Sequence, residues 1–414
     1  MREWSWAIPN HWERETLGDV ASWASGGTPK ATEPKYYGGG IPWLVIGDLN
    51  DGIVTNSNKT ITDIGLKESS AKYVEPGSIM VAMYGSIGKL GIAGFRCTTN
   101  QAIAFTRSIS EDVEPKFLFH YLASVRDLLL AEGKGGAQAN ISQTVLKGIS
   151  FCYPDKTEQR RIVAKLDQIT ARIDEAKARL DTIPTTLKRF RQSILAAACS
   201  GRLTADWRTK NQNVEWSETT LGELTSLITS GSRGWAKFYS DSGAIFIRAQ
   251  NINTDELILD DVAFVRVTSS AEGARTRVTK NDLLITITGA NVTKTALVTC
   301  KLDEAYVSQH VALVRLVDVA HAPFVFLWLS NGAPGRLQLL DSAYGAGKPG
   351  LNLGNIRDVQ IRLPSPEEQT EIVRRVEALF KQADAIEARY KTARAFVEKL
   401  TPAVLAKAFR GELV

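Results

Sequence analysis

The sequence predicts an α+β chain: two tandem α/β domains joined by two long helices that pair as an intramolecular antiparallel coiled coil, a pseudo-twofold repeat. Three observations predict it. The chain repeats itself at an offset of 204 to 210 residues, each repeat ends in a sustained heptad stripe, and each begins with short β-type runs broken by glycine turns.

The repeat is read from two anchors. WERETLGD at 12–19 returns as WSETTLGE at 216–223, and EQRRIV at 158–163 returns as EQTEIV at 368–373. Residues 158–203 and 368–413 align without a gap and share 13 of 46 positions. The expected boundaries are 1–155 and 206–364 for the globular domains, and 156–205 and 365–414 for the helical tails.

In the first globular stretch the β-type runs are 41–46, 78–83, 90–94, 102–106 and 149–154, with one helical stretch at 115–132. The second repeats the order with runs at 243–249, 282–288, 294–300, 310–316 and 358–364 and a helical stretch at 323–332. A curved, partly closed sheet with one or two packed helices is expected.

The first tail carries Ile162, Leu166, Ile169, Ile173, Ala176, Leu180, Ile183, Leu187, Phe190 and Ile194 at alternating spacings of 4 and 3. The stripe recurs as Ile372, Val376, Leu379, Ala383, Ile386, Tyr390, Ala393, Val397, Leu400 and Val404. One such seam alone would be exposed; two on one chain bury each other. Asp155 and Ser365 suit the N-terminal caps and Gly201 and Gly411 the C-terminal ones. Pro184 should kink the first tail near residue 180, and Pro402 should restart a final segment of the second.

Composition excludes several classes. Apolar residues at 44% and charged residues at 23% exclude a largely disordered chain. No apolar run reaches the ~20 residues of a membrane span, and MREWSWAIPNHW has no secretory core, so a cytoplasmic protein without membrane contact is expected. Cys97, Cys152, Cys199 and Cys300 form no C-x-x-C pair, and the histidines have no ligand spacing, so no metal site is expected. GSIGKL (85–90) and GAGKPG (345–350) lack the phosphate-loop spacing, with Leu90 and Pro349 where Ser or Thr is needed. No nucleophile, paired-carboxylate or amino-methyltransferase motif appears, so a binder rather than an enzyme is expected, with no catalytic residue.

The ordered motifs resemble the specificity (S) subunits of type I restriction-modification systems, and the resemblance covers the whole chain. They are Trp12, Leu17-Gly18-Asp19, Gly26-Gly27-Thr28-Pro29 and Ile41-Pro42-Trp43, then Gln138-x-Asn140-Ile141-Ser142, Pro154 and Glu158-Gln159-x-x-Ile162-Val163. Glu368-Gln369-x-x-Ile372-Val373 and Ala408-Phe409-x-Gly411-Glu412-Leu413 close the second unit. The second domain departs, with Gly231-Ser232-Arg233 and Leu351-Asn352-Leu353 in place of the corresponding elements. The resemblance implies two target-recognition domains on double-stranded DNA, each reading half of a bipartite asymmetric site. It implies helices that set the gap and dock two modification (methyltransferase) subunits, with restriction subunits joining that core. S-adenosylmethionine, ATP and Mg2+ would belong to those partners, with no cofactor in this chain. A nuclease or methylase with an unrecognised site, and a coiled-coil adaptor that touches no DNA, are the alternatives.

Base reading takes Arg or Lys toward guanine and Asn or Gln toward adenine. The candidates in the first domain are Thr28, Lys30, Tyr84, Ser86, Lys89, Gln138 and Asn140. In the second they are Ser232, Arg233, Arg248, Gln250, Asn251, Asn291, Lys294, Tyr344, Lys348 and Asn352. The first tail carries 12 Lys/Arg against 6 Asp/Glu over 158–210, so Arg160, Arg161, Lys188, Arg189 and Arg191 either lie beside phosphates or form a solvated face.

Overall fold

The computed structural model describes residues 8–133, 140–211, 215–253, 255–266, 271–344 and 350–414. The chain divides into two compact units, Met1–Leu180 with Thr392–Val414, and Asp181–Lys391.

In the first unit the short apolar runs resolve into two sheets, where one curved sheet was expected. Among the described residues one sheet has the order Ala21–Ser25, Ile103–Ile109, Ile79–Ala82, Leu90–Ala93, Ile53–Val54, antiparallel except for the last pair. Ile79–Ala82 is buried along its whole length, which is why it reads as an unbroken apolar run rather than an alternating one. The other sheet runs Thr60–Ile61, Tyr37–Leu44, Cys97–Thr99, Tyr73–Val74, with its central pair parallel. That parallel pair needs a long crossover, so a simple meander cannot close it. Glu13–Thr16 pairs antiparallel with Ser150–Tyr153 and joins the start of the domain to its end.

The second unit repeats this plan. Thr225–Ser230, Val311–Leu316, Leu283–Thr286 and Thr295–Leu297 stand in the same order, all antiparallel. Tyr239–Ser240, Ala263–Val265, Ala244–Ile247 and Ala305–Val307 form the other sheet, again with one parallel pair. Ser217–Thr220 pairs with Gln360–Leu363 as the closing ribbon.

The tails begin and end as their caps dictate. The Glu158 amide donates to Asp155 Oδ1 at 2.9 Å, and the Glu368 amide to Ser365 Oγ at 3.3 Å. Gly201 and Gly411 take φ of 75° and 71°, the left-handed stop that a side chain resists. The first tail breaks at Thr182 into Lys156–Asp181 and Ile183–Cys199, with Pro184 in the first turn of the second piece.

The seam is assembled separately in each unit. In the first, Ile162, Leu166 and Ile173 are buried, Ile169 and Leu180 half-buried, and Ile162 and Leu166 share a core with Leu405, Ala408 and Phe409 from the C-terminal helix. Phe409 lies 5.1 Å from Phe117 and 5.2 Å from Tyr121, edge to face. Val397 is buried as expected. In the second, Leu187 and Ile194 are buried, as are Ile372, Val376 and Ala383, with Leu379 half-buried. There Arg191 binds Asp384 and Glu387, Arg375 binds Asp206, and Arg208 binds Glu368, so partners descend as the first tail ascends. The pairing is antiparallel.

Two expectations about the tails are corrected. Ile386 is 46% exposed, because a pair of helices covers only one side of each and its neighbour Ala383 takes the buried position. Pro402 does not restart a helix: Pro366–Ala408 runs through it, with Leu405, Ala408 and Phe409 anchored beyond it in the core. Among the described residues, no helix is long and apolar enough to cross a membrane.

Candidate nucleic-acid interface

The motifs that mark the repeat are joints. Trp12 Nε1 donates to Glu158 Oε1 at 3.2 Å, and Trp216 Nε1 to Glu368 Oε2 at 2.9 Å. Gln159 Nε2 and Gln369 Nε2 each donate at 2.8 Å to the proline carbonyl five residues earlier. Leu17 and Leu221 are fully buried, and their amides donate to Ile149 and Val359 carbonyls across the closing ribbon. These residues tie each domain to the helix that follows it. The cysteines offer no nucleophile in the core: burial pushes the Cys97 and Cys199 thiols up to about 12.

In the first unit, three of the candidate loops meet. Tyr84 and Asn140 form an isolated antiparallel bridge, both exposed. The Gly26–Pro29 turn lies against Thr99 and Gln101: a Cβ on Gly26 would sit 2.1 Å from the Thr99 carbonyl, and Thr28 Oγ1 donates to Gln101 Oε1. Gly231 makes the same close approach to Val307, which is why glycine recurs there while the next residue changes to Ser232. Between these loops runs an open groove of about 550 Å³, lined by Ser22, Lys72, Tyr84, Arg107, Ser142 and Gln143. Gln143 Nε2 donates to Ser25 Oγ at 2.6 Å. Lys72, Arg107 and Gln143 were not among the sequence candidates. They are single polar residues in β-type or capping contexts, and no spacing marks them. Lys30 and Ser86 are exposed on neighbouring turns, whereas Lys89 is half-buried with Nζ donating to the Ile46 carbonyl at 3.3 Å. Gln138 lies outside the described residues.

The second unit uses several of its candidates for itself. Asn251 is corrected: it is 2% exposed, its Oδ1 accepts from the Arg248 amide, and its Nδ2 donates to the Ile258 and Asp261 carbonyls. No polar atom remains for a base. Asn352 Oδ1 accepts from the Asn355 amide at 2.8 Å, the helix-capping role Ser142 plays in the first unit. Lys294 Nζ bridges Asn253 Oδ1 and Asn291 Oδ1, both at 2.8 Å, and Asn291 Nδ2 holds the Ala249 carbonyl. Arg248 and Gln250 reach Asp261 on the adjoining loop. Ser232 and Arg233 are exposed, and Tyr344 is 61% exposed with its backbone paired to Gly350. Lys348, with the 345–349 stretch, lies outside the described residues. On the tail, Arg191 is held by Asp384 and Glu387 rather than standing free for phosphate, and Arg160 bonds Glu114.

One repeated constellation has no signature in the sequence. Asp51 and Asp255 both take left-handed backbone, φ 58° and 62°. Each carboxylate accepts the amide that opens a strand, Leu90 at 2.9 Å and Thr295 at 3.2 Å, and each pairs with an arginine, Arg126 or Arg336. Arg126 Nε also donates to the Gly88 carbonyl at 2.9 Å. The clamp pins the turn that carries the presented loop. It is half-exposed in the first unit, with Arg126 and Asp51 side chains 35% and 44% exposed, and largely buried in the second, with Arg336 and Asp255 at 5% and 13%. Arg336→Ala should therefore destabilise the second unit by about 3–5 kcal/mol, the cost of stranding a buried charge. Arg126→Ala should cost about 0–1 kcal/mol. Denaturant unfolding of the two variants checks this; equal losses would refute it.

Three comparisons bear on this geometry. The type I restriction modification DNA specificity domain matches residues 9–185 and again 213–393. The chain is 31% identical to the type I restriction enzyme EcoBI specificity subunit of Escherichia coli, over 98% of this chain and 87% of that one. It is 29% identical to the StySPI specificity subunit of Salmonella potsdam, over 98% and 90%. The fold is similar to the HsdS subunit from Thermoanaerobacter tengcongensis, TM-score 0.62 at 19% identity, over the full length of both chains.

Proposed function

The chain belongs to the type I restriction modification DNA specificity family, and we propose that it is the DNA-reading, non-catalytic subunit of such an enzyme. The domains 1–155 and 206–364 each read one half of a bipartite, asymmetric site on double-stranded DNA. The tails 156–205 and 365–414 set the unread gap and dock two modification subunits, and ATP-dependent restriction subunits join that core. S-adenosylmethionine, ATP and Mg2+ act in those partners, and the assembly works in the cytoplasm.

The observation that carries this reading is the structural duplication. The two units share sheet order and joint residues, while the residues at the loop tips differ: Tyr84 and Asn140 in one, Thr288 and Gly350 at the equivalent bridge in the other. Backbone contacts position a protein on DNA and base contacts specify. A shared scaffold with divergent tips is what two half-sites require. Mapping methylated bases in cells that hold the modification subunit with and without this chain tests it. Methylation at one bipartite sequence, only when the chain is present, is the expected result. Methylation independent of the chain leaves it a coiled-coil adaptor.

Arg233 and Gln250 are the second domain's exposed readers of choice. Substituting either by Ala should cost about 1–3 kcal/mol in binding and relax the second half-site alone, as read by binding to DNAs altered one position at a time.

A further inference from the structure

Resting on that reading, we infer that the first domain grips the DNA backbone through Lys72 and Arg107, and that the equivalent positions of the second domain, Thr276 and Arg315, make no such grip. Both cations line the groove beside Tyr84, and among the described residues no Asp or Glu lines it. Among the described residues, neither has a hydrogen-bonding or ionic partner, and both are exposed. Two positive charges on one groove with no acid beside them repel each other, and a phosphodiester removes that repulsion. The Ser22 and Ser142 hydroxyls beside them can donate to its oxygens, and an arginine fork fits two of them.

The second unit shows how the same positions look when neutralised. Ala104 pairs with Ser25, and Ala312 with Ser230, so Arg107 and Arg315 hold one strand position. In the first unit the register slips between Thr106 and Ser108, a bulge that leaves Arg107 unpaired in the ladder and exposed. In the second the slip falls on the other strand, between Thr225 and Leu227, and Arg315 stays in register. It reaches buried Asp282 at 2.7 and 2.8 Å, and those hydrogen bonds hold its guanidinium above the usual range. Asp282 precedes Leu283 as Ser78 precedes Ile79, so the acid of one domain is a serine in the other. Tyr73 pairs with Thr98 as Arg277 bridges Tyr306, which sets Lys72 opposite Thr276, a buried residue. Arg275 beside it donates to Thr229 in its own domain.

The test uses the full chain assembled with its modification subunits and double-stranded DNA carrying the mapped site, with binding measured across a salt series. Arg107→Ala and Lys72→Ala should each weaken cognate and non-cognate binding alike and lower the slope of log affinity against log salt by about 0.9, one phosphate contact. Arg107→Gln, which removes the charge and keeps a long polar side chain, should lower it too and serves if Arg107→Ala folds poorly. Slopes equal to that of the unsubstituted chain overturn the inference. So does a loss of assembly with the modification subunits at unchanged slope, which would make the groove a protein-docking face. An unsubstituted complex without sequence preference would instead defeat the proposed function.

Discussion

Exchanging residues 1–154 for the matching segment of a relative with a different target changes one half of the methylated sequence and leaves the other intact. The cut belongs after the closing ribbon, because Ser150–Tyr153 completes the pairing that Glu13–Thr16 begins. A cut at 150 would split that ribbon. The graft must also keep the aromatic contact with the tail: Phe117 and Tyr121 pack on Phe409, and Trp12 donates to Glu158. With those retained, the second unit keeps its own core, in which Ile194, Leu195, Ile372 and Val376 pack with Phe324 and Trp328. Each wrong base pair costs about 1–3 kcal/mol, so a new half-site of several bases replaces the old one completely. Methylation mapping of the chimaera reads the result. A change in both halves together would show that the domains do not read independently.

How much of this was legible depended on whether a residue acts through its neighbours in sequence. The repeat, the tails and their caps were legible because they are local: Asp155 bonds Glu158 three residues on, and a heptad stripe needs only its own spacing. The break at Thr182 followed from Pro184 in the same way. The clamp of Asp51 with Arg126 was not, since its partners lie 75 residues apart and its mark is a backbone angle, not a residue pattern. Asn251 and Asn352 looked like adenine readers because an amide that caps a turn and an amide that reads a base are the same residue in a polar loop. Arg107 and Arg315 are alike in sequence, and only the placement of a bulge and one distant acid separates an offered charge from a neutralised one. At Ile386 the stripe kept its period while Ala383, three residues earlier, took the buried position.

Four residues inserted at Thr182, matched by four after Lys391, lengthen the unread spacer and leave both half-sites as they were. The site suits the change. Thr182 is where the first tail already breaks, and the unit boundaries fall at Leu180 and Lys391. Nearby Ile386 and Phe190 are exposed, so few buried contacts are disturbed. Four residues add about 6 Å and turn the helix by about 400°, which returns the seam to within roughly 40° of its phase. Set against about 3.4 Å per base pair, the gap grows by at most about two base pairs. Two residues at the same positions turn it by about 200°; Leu187, Ile194, Ile372 and Val376 lie between the insertion points and keep their packing, so each unit stays folded while the phase between the two half-site readers is lost, which should abolish methylation altogether. The pair of insertions separates length from phase. If the four-residue variant methylates sites of unchanged spacing, the helices are not the ruler, and the gap is set by whatever holds the two domains from outside this chain.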